Sequence, residues 1–216
     1  MRALVHNSDV RCESPRHGWE PFDVRQVVSL LDTVPVRWWL SGGAALDQFL
    51  GFASREHGDI DVSVVRSDWP LVQEALSPAL DLWVAQRGAL YPIDERDVDD
   101  KVHSIWARES EKGPWRVQFN LEDVTEGIWR YRRDSRIRLP VDELFWHSGQ
   151  LRCVRPAVQM LWKSRTPTAK DEQDYEAVIP RLDWAARRWL GDAVLLAHPL
   201  SPWASRTELI SGAPPG

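Results

Sequence analysis

The stretch VRWWLSGGAALDQFLG, residues 36–51, sets a β-branched and aromatic run directly against an apolar helical repeat, with only Gly42 and Gly43 between them. A strand that turns into a helix over two residues needs backbone freedom at the turn, and glycine supplies it. The same geometry carries a helix N-terminus, with its unpaired N–H groups and positive dipole end, to the end of a strand, where it can meet phosphate. Ser41, Gly42 and Gly43 are placed for that contact. The strand needs a neighbour, and the chain provides one after the loop FASREHG: DIDVSVV, residues 59–65.

In that second strand Asp59 and Asp61 share one face, about 6.5–7 Å apart along the backbone, while Ile60, Val62 and Val64 point to the other. Like charges that close raise each other's pKa unless a cation or strong donors lie between them. Hard carboxylate oxygens suit Mg²⁺, which takes one or two protein carboxylates together with phosphate oxygens and water. The glycine turn and the Asp-x-Asp pair are therefore complementary: one holds phosphates, the other the divalent cation that neutralises them.

Around this centre the periodicities predict an α/β front. PFDVRQVVSLLDTV has apolar residues at helical spacing with Asp23 as N-cap, and SDWPLVQEAL opens a helix with Ser67 as cap. LWVAQRG, KVHSIWARES and WRVQFNLED are short, partly alternating runs that suit strands of a mixed sheet, and IWRYRRDSRIRLP adds a hairpin or an irregular basic segment. From about residue 140 the pattern changes, and helical spacing takes over in RPAVQMLWKSR and in AKDEQDYEAVIPRLDWAARRWLGDAVLLAH. The expected organisation is a flexible arm at 1–20, an α/β (α+β) domain with a mixed sheet at 21–150, a helical C-terminal domain at 151–204 and a disordered tail at 205–216.

Composition narrows the function classes. With no apolar run near the eighteen or so residues that span a bilayer and no signal-peptide pattern, the chain reads as soluble, with no membrane partner. Cys12 and Cys153 lie far apart without Cys-x-x-Cys or Cys/His spacing, which argues against a disulfide framework or a zinc site and for a reducing cytoplasm. A net charge of -5 suits cationic small substrates better than polyanions. Thirteen tryptophans are many for this length, and those inside predicted elements, such as Trp39, Trp115 and Trp162, are read mainly as core.

The segment WWLSGGAALDQFLGFASREHGDIDVSV resembles the signature of the DNA polymerase β-type nucleotidyltransferase superfamily, and within it the aminoglycoside (2''-type) and lincosamide nucleotidyltransferases. The matching positions are Gly42, Gly43, Asp47, Gly51, Arg55, His57, Asp59 and Asp61. The resemblance implies transfer of a nucleoside monophosphate, usually from ATP or another NTP, to a hydroxyl of a small acceptor such as an aminoglycoside-like antibiotic, with pyrophosphate released. It implies two Mg²⁺ ions bridged by Asp59 and Asp61, triphosphate contacts at Ser41, Gly42 and Gly43, and a phosphate-facing or structural role for Arg55 and His57. Asp47 is expected to order the loop around the site.

Such enzymes carry a third carboxylate on a later strand, as metal ligand and general base. On WRVQFNLED, Gln118, Asn120 and Glu122 share a face; Glu122 is its carboxylate, and a bulge would bring in Asp123 instead. An amide there could ligate but could not accept a proton, and the protein would then be a slow enzyme or a nucleotide binder without catalysis.

Two further features remain. Lys163, Lys170, Asp171 and Asp174 form a pattern that also resembles toxin-type nucleotidyltransferases of abortive-infection systems, with Lys163 a candidate for the triphosphate. The arginines at 130, 132, 133, 136 and 138 offer a contact for tRNA or nucleotide phosphates, so the alternative acceptor is tRNA or a protein. The carboxylates Asp94, Asp97, Asp99 and Asp100 would favour a cationic acceptor if they line its cleft.

Overall fold

The structure is a computed structural model that describes residues 18–206; most of the expected N-terminal arm, Cys12 within it, and most of the expected tail lie outside the described residues. The chain runs α1 (Val24–Leu31), β1 (Trp38–Ser41), α2 (Gly42–Leu50), β2 (Asp61–Val65), α3 (Trp69–Leu76), β3 (Asp81–Gln86), β4 (Ala89–Pro92), β5 (Ser104–Arg108) and β6 (Trp115–Glu122). It continues through β7 (Val124–Thr125), β8 (Ile128–Arg130), β9 (Arg138–Pro140), β10 (Phe145–Ser148) and β11 (Leu151–Val154) to α4 (Pro156–Lys163), α5 (Ala169–Val178) and α6 (Trp184–Ala197).

Eight strands form one mixed sheet in the order β10-β11-β1-β2-β6-β5-β3-β4, and β7, β8 and β9 form a small second sheet. β2 lies antiparallel to β1 and parallel to β6, with Asp61 opposite both Ser41 and Gln118. The alternation read from the sequence is seen directly in β6, where Trp115, Val117, Phe119 and Leu121 are buried and Arg116, Gln118, Asn120 and Glu122 are partly exposed. α3 lays Trp69 against Phe119, ring centroids 5.6 Å apart. α2 packs on β1, β2 and β11 and meets α4 and α5. Because Phe119 and Asp61 point to opposite faces of the sheet, α2 and α3 cover opposite sides.

Asp23 caps α1 in a capping box with Gln26, as its spacing predicts. Ser67 does not cap α3: it lies in a 3-10 turn, Arg66–Asp68, and Asp68 is the residue at the helix start. The larger departure lies between residues 138 and 154. Short strands fill it, and β10 and β11 form a hairpin closed by Gly149 and Gln150, with Gly149 at φ +61°. β11 then pairs parallel with β1, so a boundary at residue 150 falls inside a hairpin of the main sheet.

At the far edge Arg108 is fully buried, its guanidinium 4.8 Å from the Trp83 ring and 4.5 Å from the Trp115 ring, with Nε donating to Asp81 at 2.8 Å. Stacking between two indoles and pairing with one carboxylate stabilise a charge taken out of water. Phe119, fully buried on the central β6, tests how far the sheet depends on its α3 face. Phe119→Ala is expected to cost about 3–5 kcal/mol in urea denaturation, the range for a large core aromatic. A loss below about 1 kcal/mol would contradict the packing described.

Candidate functional site

Asp61 opens β2 with its carboxylate turned into the α2 side of the sheet. Its Oδ1 accepts from Gln118 Nε2 and from Asn120 Nδ2, both at 2.9 Å, and Gln118 also donates to Asn120 Oδ1 at 2.9 Å. Its Oδ2 faces Gly42, where a Cβ would fall well inside contact distance of that oxygen. Gly42 also sits at φ +68°, so both its conformation and its missing side chain are needed here. Burial and the neighbouring Asp59 push the Asp61 carboxyl up to about 6, against the Asn120 hydrogen bond and the charge of Lys163. Asp59 is exposed at the mouth of the site.

The glycine turn is more occupied than its sequence suggests. Gly42 N–H donates to Gln159 Oε1 of α4 at 2.8 Å, and Ser41 is fully buried, its hydroxyl accepting from Ser63 at 3.0 Å. A Cβ on Gly43 would collide with the His57 ring, so the second glycine exists to let the Arg55–Asp59 loop fold down on the helix start. His57 Nε2 donates to Asp47 Oδ2 at 2.7 Å, and Asp47 Oδ1 accepts from both the N–H and the hydroxyl of Ser54, at 2.9 and 2.7 Å. Asp47 thus ties α2 to the loop that delivers Asp59.

Arg55 and Lys163 meet in one cluster. Asp174, whose side chain is 0% exposed, takes a bidentate pair from Arg55 at 2.8 and 3.0 Å and a third contact from Lys163 at 3.0 Å. Lys163 also donates to Asp171 at 2.8 Å, and Asp171 closes a capping box with Thr168 at the start of α5. Two cations and two carboxylates balance, and α4, α5 and the Asp59 loop are fastened together. The pattern Lys-x₇-Asp-x₂-Asp signals such a cluster once α4 and α5 are known to be adjacent; its link to Arg55, 119 residues away, has no local signal.

The residue expected to complete the metal set is not brought to it. In the parallel register Asp61 faces Gln118, while Glu122 faces Val65, about 13 Å further along the strand. Glu122 accepts from the Trp129 indole at 2.8 Å, and burial raises its pKa. Asp123 pairs with Arg66 at 2.6 Å. Gln118 and Asn120 thus fill the face beside Asp61, and among the described residues no group of three or more His, Cys, Asp or Glu could hold a metal ion. Asp94, Asp97, Asp99 and Asp100 are exposed on the surface around the 3-10 turn Ile93–Glu95 and the approach to β5. No helix among the described residues is long and apolar enough to cross a membrane.

The Arg55–Lys163–Asp171–Asp174 cluster predicts its own weight. Against the burial that would raise it, Arg55 and Lys163 hold the Asp174 carboxyl below its ordinary value. A depressed folded pKa stabilises fully above the unfolded value of about 3.9 and is lost as pH falls through the folded one. Asp174→Asn, which keeps the shape and removes the charge, should cost about 3–5 kcal/mol in denaturant at pH 7, and the gap to the wild type should shrink below pH 4. An unchanged gap at low pH would show that the pairing is not the source.

Known proteins place this geometry. The aminoglycoside-2''-adenylyltransferase family model matches residues 23–82, the segment from α1 to the start of β3. No curated protein sequence matches significantly. Among solved structures, the lincosamide antibiotic adenylyltransferase LnuA in its lincomycin-bound form aligns at TM-score 0.52 and 17% identity, over 74% of this chain and 96% of its own. ANT(2'')-Ia in complex with adenylyl-2''-tobramycin aligns at TM-score 0.52 and 11% identity, over 79% and 94%. At such identities the likeness is one of fold. The chain has a mixed α/β fold like that of the antibiotic adenylyltransferases, and its residues 23–82 resemble the aminoglycoside-2''-adenylyltransferase family.

Proposed function

We propose that the protein transfers a nucleoside monophosphate, AMP from ATP, to a hydroxyl of a small antibiotic-like acceptor, with pyrophosphate leaving. The observation that supports this most is the Asp59–Asp61 pair: Asp61 opens β2 beside the glycine start of α2 and Asp59 stands two residues before it, inside the segment that resembles aminoglycoside adenylyltransferases. Like charges so placed do nothing for stability and invite a cation.

The residues fit one divalent ion. Asp59 is open at the mouth, and Asp61 keeps Oδ2 on the side away from its amide donors. A second ion held through a third carboxylate does not fit, because Gln118 and Asn120 stand in its place. When bound, such an ion would neutralise phosphate charge during in-line displacement. The chain's own residues do the rest: the two amides fix the Asp61 rotamer, Gly42 lets the carboxylate approach the helix start, and the Asp47–His57 and Arg55–Asp174 pairs hold the loop that carries Asp59. Consumption of an NTP suits a cytoplasmic setting.

The amides also favour a second reading. Neither can take a proton from an attacking hydroxyl, so a protein that binds NTP and metal without transfer has the same structural support.

Thermal unfolding and pyrophosphate release separate the two. ATP with Mg²⁺ should raise the melting temperature of the wild type, as any ligand specific to the native state does, and should do little for Asp59→Asn or Asp61→Asn. Asn120→Asp sets a carboxylate against Asp61 Oδ1; it should melt lower than the wild type without divalent ions and recover with Mg²⁺. Pyrophosphate release by the wild type with any member of a panel of cationic, neutral and acidic hydroxyl acceptors, aminoglycosides and lincosamides among them, supports transfer. Binding without release, gained in Asn120→Asp, supports the second reading, and equal melting shifts in wild type and Asp61→Asn would sink both.

A further inference from the structure

A cavity of about 200 Å³ lies beyond Asn120 and shares Asn120, Gln159 and Lys163 with the surroundings of Asp61. Asn120, the residue that donates to Asp61, forms one end of it; Glu122, the Tyr131–Arg133 turn after β8, and Trp162 of α4 form the rest. Its occupant would meet Asn120, the residue that holds the Asp61 carboxylate.

Its charge is positive. Arg132 lies exposed on the cavity wall beside Arg133, with no hydrogen bond or ion pair among the described residues. Arg133 is satisfied only by neutral oxygens, donating to Tyr131 Oη at 2.9 Å and to the Trp162 carbonyl at 3.3 Å. Arg66 donates to His103 Nδ1 at 3.0 Å, so the other ring nitrogen of His103, on the cavity wall, carries a proton and is a donor. Opposing these is Glu122, whose charge burial disfavours and whose Oε2 is taken by Trp129. Lys163, at the inner end, is neutralised by Asp171 and Asp174.

We propose that this cavity is the acceptor subsite and that the acceptor carries an acidic group, a carboxylate or a phosphate, on a small aromatic or apolar body. Arg132 and Arg133 take the acid, and Tyr131 and Trp162 take the body. That the bound molecule is the acceptor rests on the nucleotidyl-transfer reading; that it is an anion rests on the arginines. The acidic residues that would welcome a cation, Asp94, Asp97, Asp99 and Asp100, are absent from the cavity walls.

The test is calorimetric titration of the full chain with phenyl phosphate and with benzylamine, alone and in the presence of Mg²⁺ and a non-hydrolysable ATP analogue. Phenyl phosphate should bind the wild type and bind Arg132→Gln roughly tenfold more weakly, the effect of losing one charge-assisted contact. Arg133→Gln should behave likewise, and Arg136→Gln, whose arginine is paired with Asp134 and lies off the cavity wall, should match the wild type. Arg132→Gln has no hydrogen bond to lose, so an unchanged melting temperature certifies its fold. Equal phenyl phosphate affinity in wild type, Arg132→Gln and Arg133→Gln, or tighter binding of benzylamine, would overturn the anion site. Binding of the ATP analogue alongside phenyl phosphate supports the acceptor assignment. Displacement of phenyl phosphate by the analogue would assign the arginines to nucleotide phosphates and overturn it. If the analogue fails to bind while the arginine-dependent binding persists, the anion site stands and the nucleotide reading falls, taking the acceptor assignment with it.

Discussion

Burying a carboxylate is costly unless hydrogen bonds or opposite charge compensate it, and the centre of this molecule is arranged around one such group. Asp61 sits where β1, β2 and β6 meet, and each neighbour answers it: β6 supplies two amide donors, α2 supplies a glycine in place of a side chain, and β1 supplies the small Ser41 opposite. The compensation is partial, since the carboxyl is still pushed up to about 6. Hydrogen bonding fixes where the group points without cancelling its charge, and Asp59 alongside adds to what is left uncancelled.

A second layer keeps that geometry rigid. Asp47 and His57 hold the loop to α2, and Asp174, with Arg55 and Lys163, holds it to α4 and α5. Gln159 reaches from α4 to the Gly42 N–H, so the helical half closes directly over the glycine turn. The Arg55–Asp174 and Gly42–Gln159 links join residues more than a hundred apart, and the site is a product of the whole fold even though its identifying residues lie within one short segment.

That division explains how much could be read in advance. The strand, the two glycines and the helix follow from local periodicity and turn chemistry and appear as read, while the second strand begins at Asp61 and leaves Asp59 in the loop before it. Why Gly42 is needed could be only half seen: a turn demands its φ, but the approach of Asp61 is tertiary. Glu122 was a sound choice by face alone, since it shares a side with Gln118 and Asn120; register decides the matter, and register is set by how β6 meets β2, which no local pattern reveals. Lys163, a candidate for the triphosphate, and Arg55, expected to be phosphate-facing or structural, both spend charge on Asp174, and the link from Arg55 comes only from the packing of α5 on its loop. The β10–β11 hairpin was lost in the approach to the helices because its strands are only four residues each.

The most direct measurement of the account is a crystal structure with Mg²⁺ and a non-hydrolysable ATP analogue bound. The account predicts a cation on Asp59 and Asp61 Oδ2, with Gln118 and Asn120 still donating to Oδ1 and Glu122 still on the Trp129 indole. A cation liganded by Glu122 or Asp123, or nucleotide bound away from Asp59 and Asp61, would contradict it.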